Sequence, residues 1–200
     1  MHQHPCPAPA PTPEGSPASD YPNVYYLGPA GTYSEQAAIN YFGERMHGIP
    51  TESIGAVIDS AARDGFGVVP YENSLAGQIR ETSGAMARHV LTIVDSIALA
   101  IEQCLLSRAS SMAEIKRIYS HEVSLMQCHK WLKNNMPGIE QCAVTSNAEA
   151  MRLAAQDPTT AAIGGAHGAP RYGLTILRQN IQDTERNVTR FFVVHAKPKE

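Results

Sequence analysis

The chain runs to 200 residues and carries 16 Lys+Arg against 19 Asp+Glu, a net charge of −3, which leaves no basic footprint for a nucleic acid. At 43% hydrophobic and 18% charged residues it can fill a core, so wholesale disorder is excluded, and no run of about 18 apolar residues is present to span a membrane. The four cysteines, Cys6, Cys104, Cys128 and Cys142, form no Cys-x-x-Cys pair and are too sparse for a disulfide scaffold, which points to a reduced, soluble α/β protein.

Residues 1–20 hold six of the fourteen prolines. Alternating proline stiffens the chain toward polyproline II and leaves nothing to bury, so a disordered arm is expected there. The arm lacks the positive start and apolar stretch of a secretory signal. His2, His4 and Cys6 could bind a metal, but nothing nearby completes a ligand set. The body opens at Tyr21-Pro22 with a β-rich run at 24–27 and a turn, Gly-Pro-Ala-Gly, at 28–31. Thr32 or Ser34 can then cap a helix over 35–41. Residues 66–70 read as a buried strand stopped by Pro70, and 93–106 as extended crossover strands. Further on, 118–119 is a strand entering a helix at Ser120, which runs through Leu125, Cys128 and Leu132 to Pro137-Gly138. A strand at 142–145 enters a helix at Ser146, 160–163 is a strand leading into Gly164-Gly165, and 191–194 closes the chain as a strand. Strands alternating with helices imply parallel sheet with helices on both faces.

The chemistry gathers at the strand ends. Gly31-Thr32-Tyr33-Ser34, Ser120-His121 and Thr145-Ser146-Asn147 each set small hydroxyl or amide residues where a helix begins. Helix N-termini present unpaired N–H groups and the positive end of the dipole, so they favour an anion. In open α/β sheets such ends also meet at the ligand crevice. Each of these residues is equally an ordinary cap; three such turns beside a nearly neutral body favour a small anionic ligand. Two other stretches are polar for their surroundings. Val-Val-Pro-Tyr-Glu-Asn-Ser (68–74) drives a buried strand into Glu72 and Asn73, which a turn and a cap would also explain. Asn-Val-Thr-Arg-Phe (187–191) sets Thr189-Arg190 against an aromatic strand, which an edge strand with a surface arginine would also explain.

Together these segments resemble the prephenate dehydratase family. The matching stretches are 28–38 (Gly-Pro-Ala-Gly-Thr-Tyr-Ser-Glu-Gln-Ala-Ala), 67–77 (Gly-Val-Val-Pro-Tyr-Glu-Asn-Ser-Leu-Ala-Gly), 104–107, Tyr119-Ser120-His121 with Gln127-Cys128, 146–150, 161–163 with 172–174, and 187–191. They follow the family's order across essentially the whole body. The resemblance implies an α/β, two-lobed fold like type II periplasmic binding proteins, with the active site in the inter-lobe cleft. Lobe 1 is expected over about 21–95 plus 182–195, and lobe 2 over about 96–181. It implies conversion of prephenate to phenylpyruvate, carbon dioxide and water without metal or cofactor, in phenylalanine biosynthesis, and a cytoplasmic homodimer is the expected setting. Residue by residue, the family's catalytic threonine falls on Thr189 and its Glu-Asn pair on Glu72 and Asn73. Substrate-binding positions fall on Thr32, Ser34, Ser120, His121, Gln127, Ser146, Asn147 and Arg190. The chain departs from the family where Ser-His-Pro-Gln becomes Ser120-His121-Glu122-Val123, where Ser-Thr-Ala-Glu becomes Ser146-Asn147-Ala148-Glu149, at Gly165, and at Tyr71. These changes bear on substrate choice. Many members carry a C-terminal ACT domain; the sequence ends at Glu200, so a catalytic domain alone is expected.

Prephenate carries two carboxylates and a ring hydroxyl on a cyclohexadiene, and aromatisation drives the reaction once those groups are held. Helix N-termini and Arg190 suit the carboxylates. Thr189 suits the departing hydroxyl, as a hydrogen-bond donor more than a full acid. Glu72 could orient Asn73 or a water, or act as the acid if burial keeps it protonated; His121 is an alternative acid. Cys128 with His129 and Cys142 raises a zinc site or thiol nucleophile, though the spacing matches no metal pattern. Arogenate in place of prephenate, a non-aromatising prephenate decarboxylase and a non-catalytic ligand-binding or sensor protein are the alternatives. The intact Glu72, Asn73 and Thr189 favour the dehydratase.

Overall fold

In the computed structural model, which describes residues 21–184 and 186–196, strands and helices alternate through two sheets. The elements of the first half are β1 (Asn23–Leu27), α1 (Tyr33–Phe42), β2 (His47–Thr51), α2 (Ile54–Ala61), β3 (Phe66–Asn73), β4 (Gly77–Gln78), α3 (Arg80–Met86) and β5 (Leu91–Ala100). The second half holds β6 (Cys104–Ser107), β7 (Arg117–His121), α4 (Glu122–Gln127), α5 (His129–Asn135), β8 (Glu140–Val144), α6 (Asn147–Ala154), β9 (Thr160–Gly164), β10 (Thr175–Arg178) and β11 (Val188–Ala196). The first sheet has the order β2-β1-β3-β11-β5 with β4 on β3, and the second β10-β6-β9-β7-β8. The proline-rich arm and its His2, His4 and Cys6 lie outside the described residues.

Each sheet is buried on both faces, because neighbouring strand residues point to opposite sides. In the first sheet Val68 and Phe191 pack with Val24, Ala37 and Ala38 under α1, while Val69 packs with Val57, Ile58 and Ala85 under α2 and α3. In the second, Leu105, Ile118 and Ile163 meet Cys128 and Leu132 on one face, and Leu106 and Ala162 meet Ala150, Met151 and Ala154 of α6 on the other. Each fully buried Val, Leu, Ile or Phe of these layers contributes roughly 1.5–3 kcal/mol.

Several expectations are corrected. The sheets are mixed rather than parallel: β11 runs antiparallel to both β3 and β5, and β6 antiparallel to β9 and β10. Pro70 does not stop β3. The pairing with β1 ends at Val68, and the ladder to β11 shifts register between Arg190 and Phe191, opposite Pro70 and Glu72, so the missing N–H falls at a bulge. The chain crosses between sheets after Ala100, later than the expected 95–96, since β5 pairs with β11 along its whole length. The return also comes later than 182. Ile181 is buried in the second lobe, and the Asp183 carboxylate accepts from the Lys130 and Trp131 N–H groups. The helix expected from Ser120 to Pro137 breaks at Cys128 into α4 and α5, and His121 rather than Ser120 caps its start, Nδ1 accepting from Val123 N–H.

The turn between β1 and α1 is clamped from both lobes. Thr32 caps α1, accepting from Glu35 N–H. The buried Glu35 carboxylate accepts from Gly31 N–H (2.6 Å), the Tyr26 hydroxyl (2.9 Å) and Arg171 of the second lobe (2.8 Å). From that lobe the Tyr172 hydroxyl also donates to Ala30 O (3.0 Å), and His167 Nε2 to Gly31 O (3.1 Å). Gly31 sits at φ +92°, and a Cβ there would meet the Tyr172 ring at 3.1 Å, so both backbone and space demand glycine. Burial pushes the His167 pKa down, only partly offset by the backbone of Gly31 and Thr32 and by Glu35. The unfolded chain therefore binds the proton more readily. This contribution is fully present above the ordinary imidazole value of about 6.5 and is lost as pH falls toward the depressed folded value. Thermal melts across that window should show the wild type losing stability faster than His167→Gln; parallel curves would contradict the assignment.

Candidate active site

A cavity of about 670 Å³ opens between the two lobes. Its walls bring together the β1–α1 turn, the ends of β3 and β11, the 101–103 link between the sheets, and the starts of α4 and α6. Of the residues singled out in the sequence, Thr32, Ser34, Asn73, His121, Gln127, Ser146, Asn147 and Thr189 line it. Leu27, Pro70, Ile101, Val123, Met126 and Phe191 make the wall largely apolar, and no Lys, Arg, Asp or Glu is among the lining residues.

Glu72, Arg190 and Ser120 are not brought into this lining. In the β3–β11 ladder Thr189 stands opposite Asn73, and Arg190 opposite Glu72. Alternation then sends the first pair to the cleft and the second to the other face. There Arg190 and Glu72 form an ion pair at 3.6 Å with side chains 51% and 43% exposed, the kind of surface pair that contributes about 0–1 kcal/mol. Arg190 therefore does not reach the cavity to hold a carboxylate. Ser120 is fully buried one layer below, its hydroxyl lying 3.0 Å from both Asn147 Oδ1 and Ile163 O.

Two asparagines set the polarity of the site. Asn73 Oδ1 accepts from the backbone N–H groups of Leu75 and Ala76, both at 3.0 Å. Backbone N–H groups can only donate, so the amide orientation is fixed. Its Nδ2 then donates to Thr189 Oγ1 at 2.9 Å and Asn187 Oδ1 at 2.8 Å. Thr189 Oγ1 thus accepts from Asn73; among the described residues no acceptor takes its own hydrogen, which is available to the cavity that Thr189 lines. Across the cavity Asn147 Oδ1 accepts from His121 N–H (3.1 Å) and from Ser120 Oγ, and its Nδ2 donates to Ser124 Oγ at 2.9 Å. Gln103, 1% exposed, donates from Nε2 to Ser124 Oγ and Gln127 Oε1, both at 3.2 Å. Gln103 Oε1 is buried without a partner among the described residues, which costs roughly 1–3 kcal/mol.

Asn187, from the polar 187–191 stretch, also lines the cavity, as do Ser124 and Gln103, which belong to none of the matching stretches. Ser124 had a signal: His121, Ser124 and Gln127 recur every three residues, which stacks them on one helical face. Asn187 lies two residues from Thr189 and so shares its face of the strand. Gln103 sits in an irregular link and had none.

Comparison with known proteins agrees with the geometry. The fold is the two-lobed α/β architecture, each lobe a mixed sheet covered by helices, with the cavity between lobes. The family model for prephenate dehydratase matches residues 24–199, and the chain belongs to that family. A bifunctional chorismate mutase/prephenate dehydratase of Stutzerimonas stutzeri is 39% identical over 177 residues, 87% of this chain and 48% of that protein. Arogenate dehydratase 2 of Petunia hybrida is 35% identical over 182 residues, 88% of this chain and 45% of that one. The crystal structure of the prephenate dehydratase of Staphylococcus aureus superposes with a TM-score of 0.76 at 29% identity, covering 88% of this chain and 68% of that one. The chain spans about half the length of the first two.

Among the described residues no three His, Cys, Asp or Glu side chains gather where a metal could be held. Burial pushes the Cys128 thiol up to about 12 and raises that of Cys104; burial and Glu140 raise that of Cys142. None of the three is an activated thiolate. With Cys6 replaced by serine, a thiol reagent near pH 8 should label the half-buried Cys142 and spare Cys104 and Cys128 until the chain is denatured. Rapid native labelling of Cys128 would contradict this.

Proposed function

We propose that residues 21–195 form a prephenate dehydratase catalytic domain, converting prephenate to phenylpyruvate, carbon dioxide and water on the way to phenylalanine. The observation that carries this reading is the Asn73–Thr189 pair, an amide locked by two backbone N–H groups and holding a threonine hydroxyl as a donor into the cleft.

The reaction breaks two bonds on opposite carbons of the ring. The bond to the ring carboxylate releases carbon dioxide, and its electron pair enters the ring. The C–O bond on the far carbon breaks with its pair on oxygen, and that oxygen takes up one proton to leave as water. Negative charge grows on the departing oxygen, so a donor already aimed at it acts chiefly in the transition state. Thr189 supplies such a donor at no cost of reorientation. Among the lining residues His121 is the one imidazole. With Nδ1 accepting from Val123 N–H, Nε2 carries the ring hydrogen and can donate a hydrogen bond to the departing oxygen, while the proton that completes the leaving water comes from solvent.

With no cationic side chain in the lining, the two carboxylates fall to backbone donors. The N-termini of α1 and α6 open at the cavity through Thr32, Tyr33, Ser146 and Asn147. Each contributes about 0.3–1 kcal/mol when exposed and up to about 2 when partly buried. The apolar walls exclude water and strengthen both effects. A cytoplasmic homodimer is the proposed setting. No described helix is long and apolar enough to cross a membrane, and β5 is a ten-residue edge strand with Ile93 and Val94 exposed, an edge that self-association would cover. Sedimentation of the purified chain tests the dimer: a monomer at micromolar concentration would overturn it.

The direct test is to incubate the protein with prephenate and follow phenylpyruvate absorbance in alkali. Thr189→Ala should lower turnover by about 10² or more while KM changes little, and Thr189→Ser should recover part of it. An alanine variant within about threefold of wild type would contradict the role of Thr189 and leave His121 as the hydrogen-bond donor to be tested.

A further inference from the structure

The far side of the cleft repeats the device at Thr189. Ser124 Oγ accepts from two amides, Asn147 Nδ2 at 2.9 Å and Gln103 Nε2 at 3.2 Å. A hydroxyl oxygen has two lone pairs, so this one is saturated as an acceptor and can only donate. Asn147 cannot be turned around, because its Oδ1 is held by the His121 backbone N–H; Gln103 presents Nε2 to Ser124 while Gln127 presents Oε1 to Gln103. Among the described residues no acceptor takes the Ser124 hydrogen, and Ser124 lines the cavity. Two amide oxygens of this floor are engaged, Asn147 Oδ1 by Ser120 and His121 and Gln127 Oε1 by Gln103; the third, Gln103 Oε1, is without a partner among the described residues but is itself buried away from the cavity surface. No Asp or Glu lines the cavity to offer a counter-charge.

We propose that Ser124, polarised by Asn147 and Gln103, is a specificity-determining donor that reads the side arm of the substrate and selects a 2-oxo acid over the corresponding 2-amino acid. This rests on the dehydratase reading and deepens it. The departing hydroxyl and the carbon bearing the carboxylate arms lie at opposite ends of the ring. With the hydroxyl at Thr189 on the first lobe, the arm reaches across to the second. A 2-oxo group accepts the Ser124 hydrogen. An ammonium in its place brings three more donors to a floor whose amide oxygens are either engaged or, at Gln103, buried out of reach, and it loses hydration without compensation.

The test measures kcat/KM of the full chain for prephenate and for arogenate, in the wild type, Ser124→Ala and Ser124→Thr. The wild type should prefer prephenate by about tenfold or more. Ser124→Ala should lose about tenfold on prephenate, mainly through KM, and change arogenate by less than about threefold. Ser124→Thr, which restores the hydroxyl, should keep the preference. A wild-type preference for arogenate, or equal losses on both substrates in Ser124→Ala, would overturn the proposal; equal losses are what a merely structural serine would give. If Ser124→Ala fails to fold, Asn147→Asp decides. Its second carboxylate oxygen takes the Ser124 hydrogen inward, so the ratio should move toward arogenate, and an unchanged ratio overturns the proposal. Failure of the dehydratase reading itself is distinct: the wild type would turn over neither substrate. Calorimetry with phenylpyruvate and phenylalanine then reads the same floor. Tighter phenylpyruvate binding that Ser124→Ala abolishes would support the selection, and equal binding of the two, or none, would overturn it.

Discussion

Two backbone N–H groups, those of Leu75 and Ala76, turn the Asn73 side chain into a fixed dipole, and the polarity of the first lobe's half of the cleft follows from that constraint. A freely rotating amide could give Thr189 either an oxygen or an NH₂ group. Held as it is, it gives Thr189 only the NH₂, so the threonine is an acceptor on one side and a donor toward the cavity on the other. The arrangement needs the tight 73–77 turn after β3 and the antiparallel pairing that sets Thr189 opposite Asn73. Sheet register and the direction of one hydrogen are thus the same structural fact.

The second lobe solves the same problem with other parts. There the fixing donor is the His121 N–H at the end of β7, and the amide it orients is the first residue of α6. The hydroxyl that results is Ser124, on the face of α4 that it shares with His121 and Gln127. The clamp on the β1–α1 turn holds these halves at a fixed separation. Glu35, nearly buried, ties the Gly31 amide of one lobe to Arg171 of the other. Breaking that ion pair costs more than breaking the exposed Arg190–Glu72 pair, because the Glu35 side chain is only 9% accessible and loss of Arg171 leaves a largely buried carboxylate with only Gly31 N–H and the Tyr26 hydroxyl to hold it.

The alternation of strands and helices, the caps at Thr32 and Ser146 and the crossover after β5 could be read from periodicity and turn chemistry, since each is a local property of the chain. The mixed direction of the sheets could not. Whether β11 lies parallel or antiparallel beside β3 depends on where the chain returns after residue 181, and no local pattern encodes that. Pro70 misled because a proline ends a strand unless a bulge removes the need for its N–H; here Tyr71 of the same strand is the extra residue, and it counts as a bulge only against β11, a partner far along the sequence. At the site, motif residues were legible as a group, but their facing was not. Glu72 and Asn73 are adjacent, as are Thr189 and Arg190, and only the pleat decides which of each pair meets the cleft. Gln103 was illegible because its polarity matters only through Ser124 and Gln127, which come from a different element.

The central claim is that Asn73 acts through Thr189 rather than beside it. A double-mutant cycle in turnover of prephenate tests this most directly, using Asn73→Ala, Thr189→Ala and the double variant, with melting temperatures to verify folding. If Asn73 serves to aim the Thr189 hydroxyl, its loss costs nothing further once that hydroxyl is gone, and the double variant should be no slower than Thr189→Ala within about threefold. Losses that multiply across the two positions would show two independent contributions and contradict the account.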